Sequence, residues 1–320
     1  RMMDVKIALP VLISFAISAA AGPIVIPILR KLKVGQTVRD DGPQTHLKKS
    51  GTPTMGGVIF LLAVLITSLI YAPQYPKVIP VLFMTVGFGI VGFLDDFIKV
   101  VLHRSEGLTP AQKMAGQLVV TAVFAYYMVN ISDVGLTMLV PFFPEISINL
   151  GWLSIPLLFF VVIGTVNGTN FTDGLDGLAA SVTVMVAVFF SVVAIGTDAG
   201  IAPVTLAVAG GLMGFLLFNV YPASVFMGDT GSLALGGFVA ATAYMMNMPL
   251  FILLVGFIYL VEVLSVIIQV TYFKVTHGKR FFKMAPIHHH FEKCGWSGTR
   301  VVAAFSIITA LCCLVAFAAV

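Results

Sequence analysis

Long apolar stretches recur along the whole sequence and constrain its fold more than any other feature. Ten of them are long enough to cross a hydrocarbon core of roughly 30 Å. They cover residues 5–29, 52–71, 78–98, 114–131, 152–169, 178–196, 201–218, 232–248, 250–273 and 300–320. Because lipid cannot satisfy backbone polar groups, and the stretches are too uniformly apolar for barrel strands, they must be helices. We predict an all-α integral membrane protein, a bundle of ten transmembrane helices.

The composition and the connecting segments agree with a membrane-embedded single domain. Hydrophobic residues make up 59% of the chain and charged residues only 10%, which exceeds what a soluble chain of this length buries. The sequence shows no sustained repeat and no linker that would divide it. We therefore predict one domain over residues 1–320.

The basic residues predict the orientation of the bundle. Fifteen of the eighteen Lys and Arg residues lie between predicted spans 1 and 2, 3 and 4, and 9 and 10, counting Arg300 at the first position of span 10. Basic residues concentrate in cytoplasmic loops, so both termini are predicted to be periplasmic. The predicted cytoplasmic loops are 30–51, 99–113, 167–177, 219–231 and 274–299. Contact with lipid headgroups is the alternative role for this charge.

Acidic residues are informative because a carboxylate at membrane depth is unfavourable unless it meets water, a cation or a partner. Asp95 and Asp96 end the third stretch, and Lys99 follows one helical turn later. Two adjacent ionised carboxylates repel each other, so this pair calls for the lysine or a divalent cation. For either aspartate alone, a solvated pair with Lys99 is the alternative.

A second polar cluster occupies the segment 167–177. Its amide and carboxylate residues follow one another at steps of three, which drift by about 60° per step on a continuous helix. They are Asn167, Asn170, Asp173 and Asp176. The glycines Gly168, Gly174 and Gly177 instead favour an opened turn, in which these groups converge on one polar ligand. Helix capping and turn formation are the alternative for any one of them.

Asp229 lies among small residues just before the eighth stretch. Gly228, Thr230 and Gly231 surround it, and such neighbours allow a phosphate or a metal to approach the carboxylate closely. Mg²⁺ prefers oxygen ligands and typically takes one or two carboxylates. Asp229 together with Asp95 and Asp96 would meet this need. The alternative is that Asp229 or Thr230 caps the following helix.

Three consecutive histidines, His288, His289 and His290, lie in the last predicted cytoplasmic loop. They cannot share one helix face, and the i, i+4 spacing of a helical zinc site is missing, so zinc is not expected. Their neighbours Lys279, Arg280, Lys283 and Lys293 make the segment suited to phosphate or pyrophosphate.

The motifs DDFIK, NGTNFTDGLDG, HLKKSGTPTMGG and PIHHHFEKCGW together resemble the polyprenyl-phosphate N-acetylhexosamine-1-phosphate transferases. The resemblance covers the whole chain, and the HHHFEKCGW loop is similar to the branch that does not use UDP-GlcNAc. It implies ten helices in the bacterial inner membrane, an active site facing the cytoplasm, a homodimer, Mg²⁺, and inhibition by uridine-based nucleoside antibiotics. The implied reaction transfers phospho-N-acetylmuramoyl-pentapeptide from UDP-N-acetylmuramoyl-pentapeptide to undecaprenyl phosphate, giving lipid I and UMP in peptidoglycan synthesis.

The resemblance also implies roles for residues at matching positions. Asp229 would be the main Mg²⁺ ligand, helped by Asp96 and Asn170, and Asp95 and Asp96 would be the catalytic pair. Asp95 is expected to act as the general base on the lipid phosphate, although one carboxylate can also be a nucleophile. The expected phosphate-binding residues are Lys113, His288, His289 and His290. The expected nucleoside-binding residues are Asp173, Asp176, Asn219 and Phe226, flanked by Lys49 and Thr54.

Other classes of membrane protein fit less well. A secondary transporter would place ionisable groups near the bilayer midplane between repeated halves, whereas only Glu262 lies deep in a predicted span. A channel would need a polar lining along the full membrane depth. Among enzymes, the alternative is a sister transferase that uses UDP-GlcNAc.

Overall fold

The computed structural model describes residues 5–32, 51–100, 102 and 107–320, with only the backbone of residues 5 and 6. Its helices are α1 (Val5–Lys31), α2 (Gly57–Tyr71), α3 (Val78–Val100), α4 (Pro110–Asn130), α5 (Ser154–Thr172), α6 (Leu178–Gly196), α7 (Ala202–Asn219), α8 (Gly228–Met245), α9 (Ile252–Val255), α10 (Phe257–Val275), α11 (Ile287–Lys293) and α12 (Gly298–Phe317). Most of the predicted loop 30–51, including Lys49, lies outside the described residues.

A helix occupies each of the ten predicted stretches. In the described part of the chain, seven helices are long and apolar enough to cross a membrane, by length and composition. They are α1, α3, α5 (with the preceding turn), α6, α7, α10 and α12. The prediction of a helical, multi-pass membrane protein is confirmed, whereas ten crossings and periplasmic termini stay predictions.

Helix α8 lies at the centre of the bundle and packs mainly against α3 and α5. Every residue from Thr230 to Met245 is buried. Its small residues allow close helix contacts, since a Cβ added at Gly236 would collide with the backbone of Val166, and one at Gly237 would lie 2.6 Å from the Met84 carbonyl oxygen. Helix α8 therefore contacts protein rather than lipid along most of its length.

The crossing of α3 and α8 brings two acidic segments together. A Cβ added at Gly92 would collide with the Asp229 carbonyl group, so only glycine permits this approach. Asp95 and Asp96 follow Gly92 by about one turn. Their side chains consequently lie beside the first turn of α8.

The segment 132–151 contains an element that the all-α prediction missed. Strands β1 (Met138–Val140) and β2 (Phe143–Ile148) form an antiparallel hairpin, with Met138 opposite Ile148. All six residues of β2 are exposed. The sequence analysis predicted no element in this segment because apolar length, on which it rested, carries no signal for a short exposed hairpin between spans.

Candidate active site

Three carboxylates converge where the end of α3 meets the start of α8. Ligand atoms of Asp95, Asp96 and Asp229 all lie within 4.8 Å of one another. Asp95 and Asp96 are only 2% and 4% exposed. Carboxylates so close together repel unless cations or hydrogen-bond donors compensate them, so their partners determine what each can do.

Asp96 is held by the N terminus of α8. Its Oδ1 accepts a hydrogen bond from the backbone N–H of Asp229 (3.2 Å), and its Oδ2 accepts from the N–H (2.9 Å) and the hydroxyl (2.7 Å) of Thr230. The N-cap residue Met227 provides no side-chain cap of its own. Asp96 therefore caps α8 from the neighbouring helix and fixes the backbone that carries Asp229.

Asp229 accepts hydrogen bonds at both carboxylate oxygens. Lys113 in α4 approaches Oδ2 to 2.7 Å, and Lys99 in α3 approaches the same atom to 3.3 Å. Asn170 in α5 donates from Nδ2 to Oδ1 at 2.9 Å and to the Ser232 hydroxyl at 2.8 Å. Asp229 thus lies where α3, α4, α5 and α8 meet, with one side chain from each neighbour directed at it.

Asp95 has a different environment from Asp96. It forms an i, i+4 ion pair with Lys99, and its Oδ1 accepts a hydrogen bond from the backbone N–H of Leu108 at 2.8 Å. A Cβ added at Gly107 would lie 2.5 Å from the same Oδ1, so this loop closes directly over the carboxylate. The sequence identified Lys99, whereas the Leu108 contact had no sequence signal.

The cluster is suited to a hard divalent cation. Its donors are carboxyl oxygens, which Mg²⁺ prefers, and three carboxyl groups lie beside two ammonium groups. In the described part of the chain, Asp95, Asp96 and Asp229 form the one group of three acidic, His or Cys side chains whose ligand atoms lie close enough together to hold a metal ion.

Two of the predicted nucleoside-binding residues, Thr54 and Phe226, adjoin the acidic cluster. Pro53 and Phe226 pair through their backbones, and the Gly56 N–H donates to the Phe226 carbonyl oxygen at 2.8 Å. The Thr54 hydroxyl would lie 2.8 Å from a Cβ added at Gly228, which has a φ of +69°. Thr54 and Phe226 therefore belong to adjacent loops beside the carboxylates.

Two other predicted nucleoside-binding residues, Asn219 and Asp176, stabilise the turn between α7 and α8. Asn219 donates to the Val225 carbonyl oxygen at 3.0 Å, and Asp176 accepts from the Ala223 N–H at 3.0 Å. Both side chains are buried. In this structure they shape the loop that leads to Phe226. Asp173 is the C-cap residue of α5.

The interpretation of segment 167–177 was wrong at its start. Helix α5 continues through Thr172, and Gly168 packs inside it against Tyr259 rather than opening a turn. Asn167 donates to Gln117 at 3.1 Å, while Asn170 contacts Asp229. The two asparagines face different partners because the helix is unbroken.

The three histidines lie on α11 and have three different partners. His288 is fully buried, with Nδ1 3.0 Å from Oε1 of Glu262 in α10. His289 contacts Glu292 at 2.8 Å. The Nδ1 of His290 accepts a hydrogen bond from the Lys283 N–H at 3.1 Å. The three imidazoles thus have different hydrogen-bond partners, although the ring centroids of His288 and His289 are only 4.1 Å apart.

Sequence reasoning missed one contributor to the site and gave another a different role. Ser232, which contacts Asn170, carried no distinctive signal, and Thr230, considered only as a neighbour of Asp229 or a helix cap, donates to Asp96. Glu262 was noticed because it lies deep in a span. Its pairing with His288 explains how an acid is tolerated there.

Comparisons with known proteins agree with this geometry. Residues 78–247, more than half of the chain, match the family model described as glycosyl transferase family 4. Fold, acidic cluster and family match together define a membrane-embedded glycosyl transferase. Residues 49–61 also match the phospho-N-acetylmuramoyl-pentapeptide-transferase signature 1.

Curated relatives with that same name match over nearly their whole length. The protein from Acetivibrio thermocellus is 53% identical over 96% of this chain and 93% of its own. Those from Clostridioides difficile and Clostridium botulinum are 51% and 50% identical, covering 97% and 100% of this chain and 96% and 98% of their own. The chain belongs to the phospho-N-acetylmuramoyl-pentapeptide-transferase family.

Proposed function

We propose that this protein transfers phospho-N-acetylmuramoyl-pentapeptide from UDP-N-acetylmuramoyl-pentapeptide to undecaprenyl phosphate, which gives lipid I and UMP in peptidoglycan synthesis. Full-length relatives named for this transfer support the proposal. The observation that carries it is the meeting of Asp95, Asp96 and Asp229 with two lysines at one end of the bundle. Such a site suits two phosphorylated substrates, one in the membrane and one in water.

The same proposal includes a topology. The chain forms one domain with ten membrane crossings in the bacterial inner membrane, periplasmic termini, and an active site facing the cytoplasm. The basic loops support this orientation. A soluble nucleotide sugar reaches the carboxylates from the cytoplasm, while the polyprenyl chain stays in the bilayer beside α3.

Mg²⁺ is the proposed cofactor. Asp229 is its main ligand, with Asn170 beside it and Asp95 within reach of the same centre. Asp96 already accepts three hydrogen bonds from α8, so we assign it mainly to holding Asp229 in place. Bound Mg²⁺ would neutralise phosphate charge during transfer.

Asp95 is the proposed general base. The Leu108 N–H and Lys99 hold its carboxylate at the end of α3, where the phosphate of a membrane lipid can reach it. Asp95 takes the proton of the lipid phosphate, whose oxygen then forms a bond to the sugar-bearing phosphorus as the bond to UMP breaks. Lys113 contacts the transferred phosphates.

The nucleoside is proposed to bind at the loops 51–57 and 219–228. Phe226 offers an aromatic face to uracil, with Thr54, Asp173, Asp176 and Asn219 on the same or neighbouring loops, and Lys49 is assigned to this site from the sequence alone. His289 and His290 would contact phosphates, whereas the buried His288 acts through α11. A homodimer and inhibition by uridine-based nucleoside antibiotics belong to the same proposal.

UMP release tests the proposed function. Purified protein should release UMP from UDP-N-acetylmuramoyl-pentapeptide only when polyprenyl phosphate and Mg²⁺ are both present. UDP-GlcNAc distinguishes the alternative, since a sister transferase would release UMP from that sugar instead. No lipid-dependent release from either nucleotide would contradict the assignment.

A further inference from the structure

A cavity of about 330 Å³ lies beside the end of α10 and the segment that connects it to α11. Three cations and three apolar side chains line most of it: Lys274, Arg280 and Lys293, with Val270, Phe273 and Met284. None of these residues contributes to the acidic cluster or to the proposed nucleoside site. The proposed transfer therefore leaves this cavity without an assigned ligand.

The charge of the cavity indicates an anion. Among the described residues, no carboxylate forms an ion pair with Lys274, Arg280 or Lys293. Three positive charges around one small space repel each other, and an anionic group between them relieves that repulsion. A phosphate group also matches the hydrogen-bond donors of guanidinium and ammonium groups.

Hydrogen bonds hold the connecting segment in place. The Oε1 of Gln269 accepts from the backbone N–H groups of Phe281 (3.1 Å) and Phe282 (2.9 Å), and its Nε2 donates to the Phe282 carbonyl oxygen (3.1 Å). The Lys283 ammonium group donates to the Lys293 carbonyl oxygen at 3.3 Å. These bonds fix the backbone beside Arg280 and at Lys293.

The apolar wall indicates that the anion carries a hydrophobic tail. Val270 and Phe273 are 46% and 47% exposed on α10, which is long and apolar enough to cross the membrane. Ile267, one turn earlier, is exposed as well. A lipid chain lying along this face would bury these side chains, with Lys274 at the level of the headgroups. Free phosphate would leave the apolar wall uncovered.

We propose that this cavity binds the phosphate of an anionic phospholipid, whose acyl chains lie along the exposed face of α10. The proposal requires the membrane orientation of α10 but not the transferase reaction. Because α11 carries the histidines and adjoins the cavity through Lys293, bound lipid should stabilise this part of the fold by mass action.

Native mass spectrometry of the purified full chain tests the proposal, with phosphatidylglycerol and phosphatidylcholine of identical acyl chains as probes. Phosphatidylglycerol should bind at least tenfold more tightly. Lys274→Gln and Arg280→Gln should each weaken its binding about fivefold, as expected for one cation at a membrane surface, and the double variant about 25-fold. Lys279→Gln is the matched control, because Lys279 adjoins Arg280 but does not line the cavity. It should change binding less than twofold.

Four results would overturn the proposal. Equal binding of the two lipids would show no selection for negative charge, and this comparison uses only the wild-type protein. An equal loss in Lys279→Gln would show diffuse attraction rather than a site. Competition by inorganic phosphate at the same concentration would show that the tail is not recognised. Binding of undecaprenyl phosphate with exclusion of phosphatidylglycerol would assign the cavity to the carrier lipid.

Discussion

Asp96 near the end of α3 accepts two hydrogen bonds from Thr230 in α8, one from its backbone N–H and one from its hydroxyl. A third hydrogen bond, from the Asp229 N–H, ties the backbone of the proposed metal ligand to Asp96 in the neighbouring helix α3. The two adjacent aspartates of α3 have different contacts, since Asp95 pairs with Lys99, accepts from the Leu108 N–H and also meets the Asp229 side chain. We therefore propose that Asp96 positions Asp229 and that Asp95 takes part in the reaction.

Thr230→Val should reduce both stability and turnover. The substitution keeps the shape but removes the hydroxyl donor to Asp96, which should lower the free energy of unfolding by about 1–3 kcal/mol. Thr242→Val is the matched control on the same helix, because the Thr242 hydroxyl is buried without a hydrogen-bond partner among the described residues. Thermal unfolding in detergent measures the difference. If both variants lose equal stability, the hydrogen bond from the Thr230 hydroxyl to Asp96 does not contribute to the stability of the fold.

Asp229→Asn should abolish UMP release while the bundle stays folded. The amide keeps the size of the side chain but removes the charge that a cation and Lys113 require. Titration of UMP release with Mg²⁺ checks the result, and Asp133→Asn, an exposed acid paired with Lys77, is the control. Substantial Mg²⁺-dependent activity in Asp229→Asn would contradict the metal assignment.

The helices and the acidic residues could be predicted from the sequence because both depend on local signals. Apolar length locates a span, and a carboxylate beside an apolar helix is conspicuous wherever it occurs. The stretches 78–98 and 178–196 coincide with α3 and α6 to within two residues at either end.

The detailed arrangement of the site depends on contacts between distant segments, which one sequence does not reveal. Nothing in the segment 167–177 indicates that Gly168 packs against Tyr259, so glycine was read as a turn signal. The partnership of Asp96 with Thr230 links residues 134 positions apart. Likewise, Glu262 was recognised as unusual, but its partner His288 follows only from the packing of α11 on α10.

Removing the Glu262 carboxyl should destabilise the α10–α11 contact. Glu262→Leu leaves the buried His288 Nδ1 without its acceptor and should lower stability by about 1–3 kcal/mol, whereas Glu262→Gln keeps an acceptor oxygen and should lose less. KM and kcat for the nucleotide sugar, measured separately and compared with thermal unfolding, distinguish a role in positioning α11 from a role in stability alone. Equal behaviour of the two variants would show that the hydrogen bond is unimportant.

Cys294 provides a test of orientation at a residue that the chain already has. It is exposed, whereas Cys312 and Cys313 lie in α12 and are replaced by alanine for this experiment. In intact spheroplasts, Cys294 should react with a membrane-permeant maleimide and not with an impermeant one. A cysteine at Glu145 in the exposed strand β2 is the control and should react with both. Reaction of Cys294 with the impermeant reagent would refute the proposed topology.

The role of Asp95 distinguishes two routes for the transfer. Its carboxylate lies at the end of a membrane helix, paired with Lys99, so it can reach the phosphate of a lipid that remains in the bilayer. A base acting on that lipid is not needed to hold the nucleotide. Asp95→Asn should therefore bind the UDP-sugar nearly normally in isothermal titration, while turnover falls by about 10² or more.

If Asp95 is instead the nucleophile, its oxygen attacks the sugar-bearing phosphorus before the lipid arrives, and UMP leaves in that first step. Wild-type protein mixed with UDP-sugar but no lipid would then release about one equivalent of UMP and retain the phospho-sugar on Asp95. Direct attack predicts no such burst, because the lipid phosphate must be present for the bond to UMP to break. Rapid-quench measurement of UMP, with mass spectrometry of the peptide containing Asp95, separates the routes. A burst in the wild type that is absent from Asp95→Asn would exclude direct attack, and loss of nucleotide binding in the variant would exclude both.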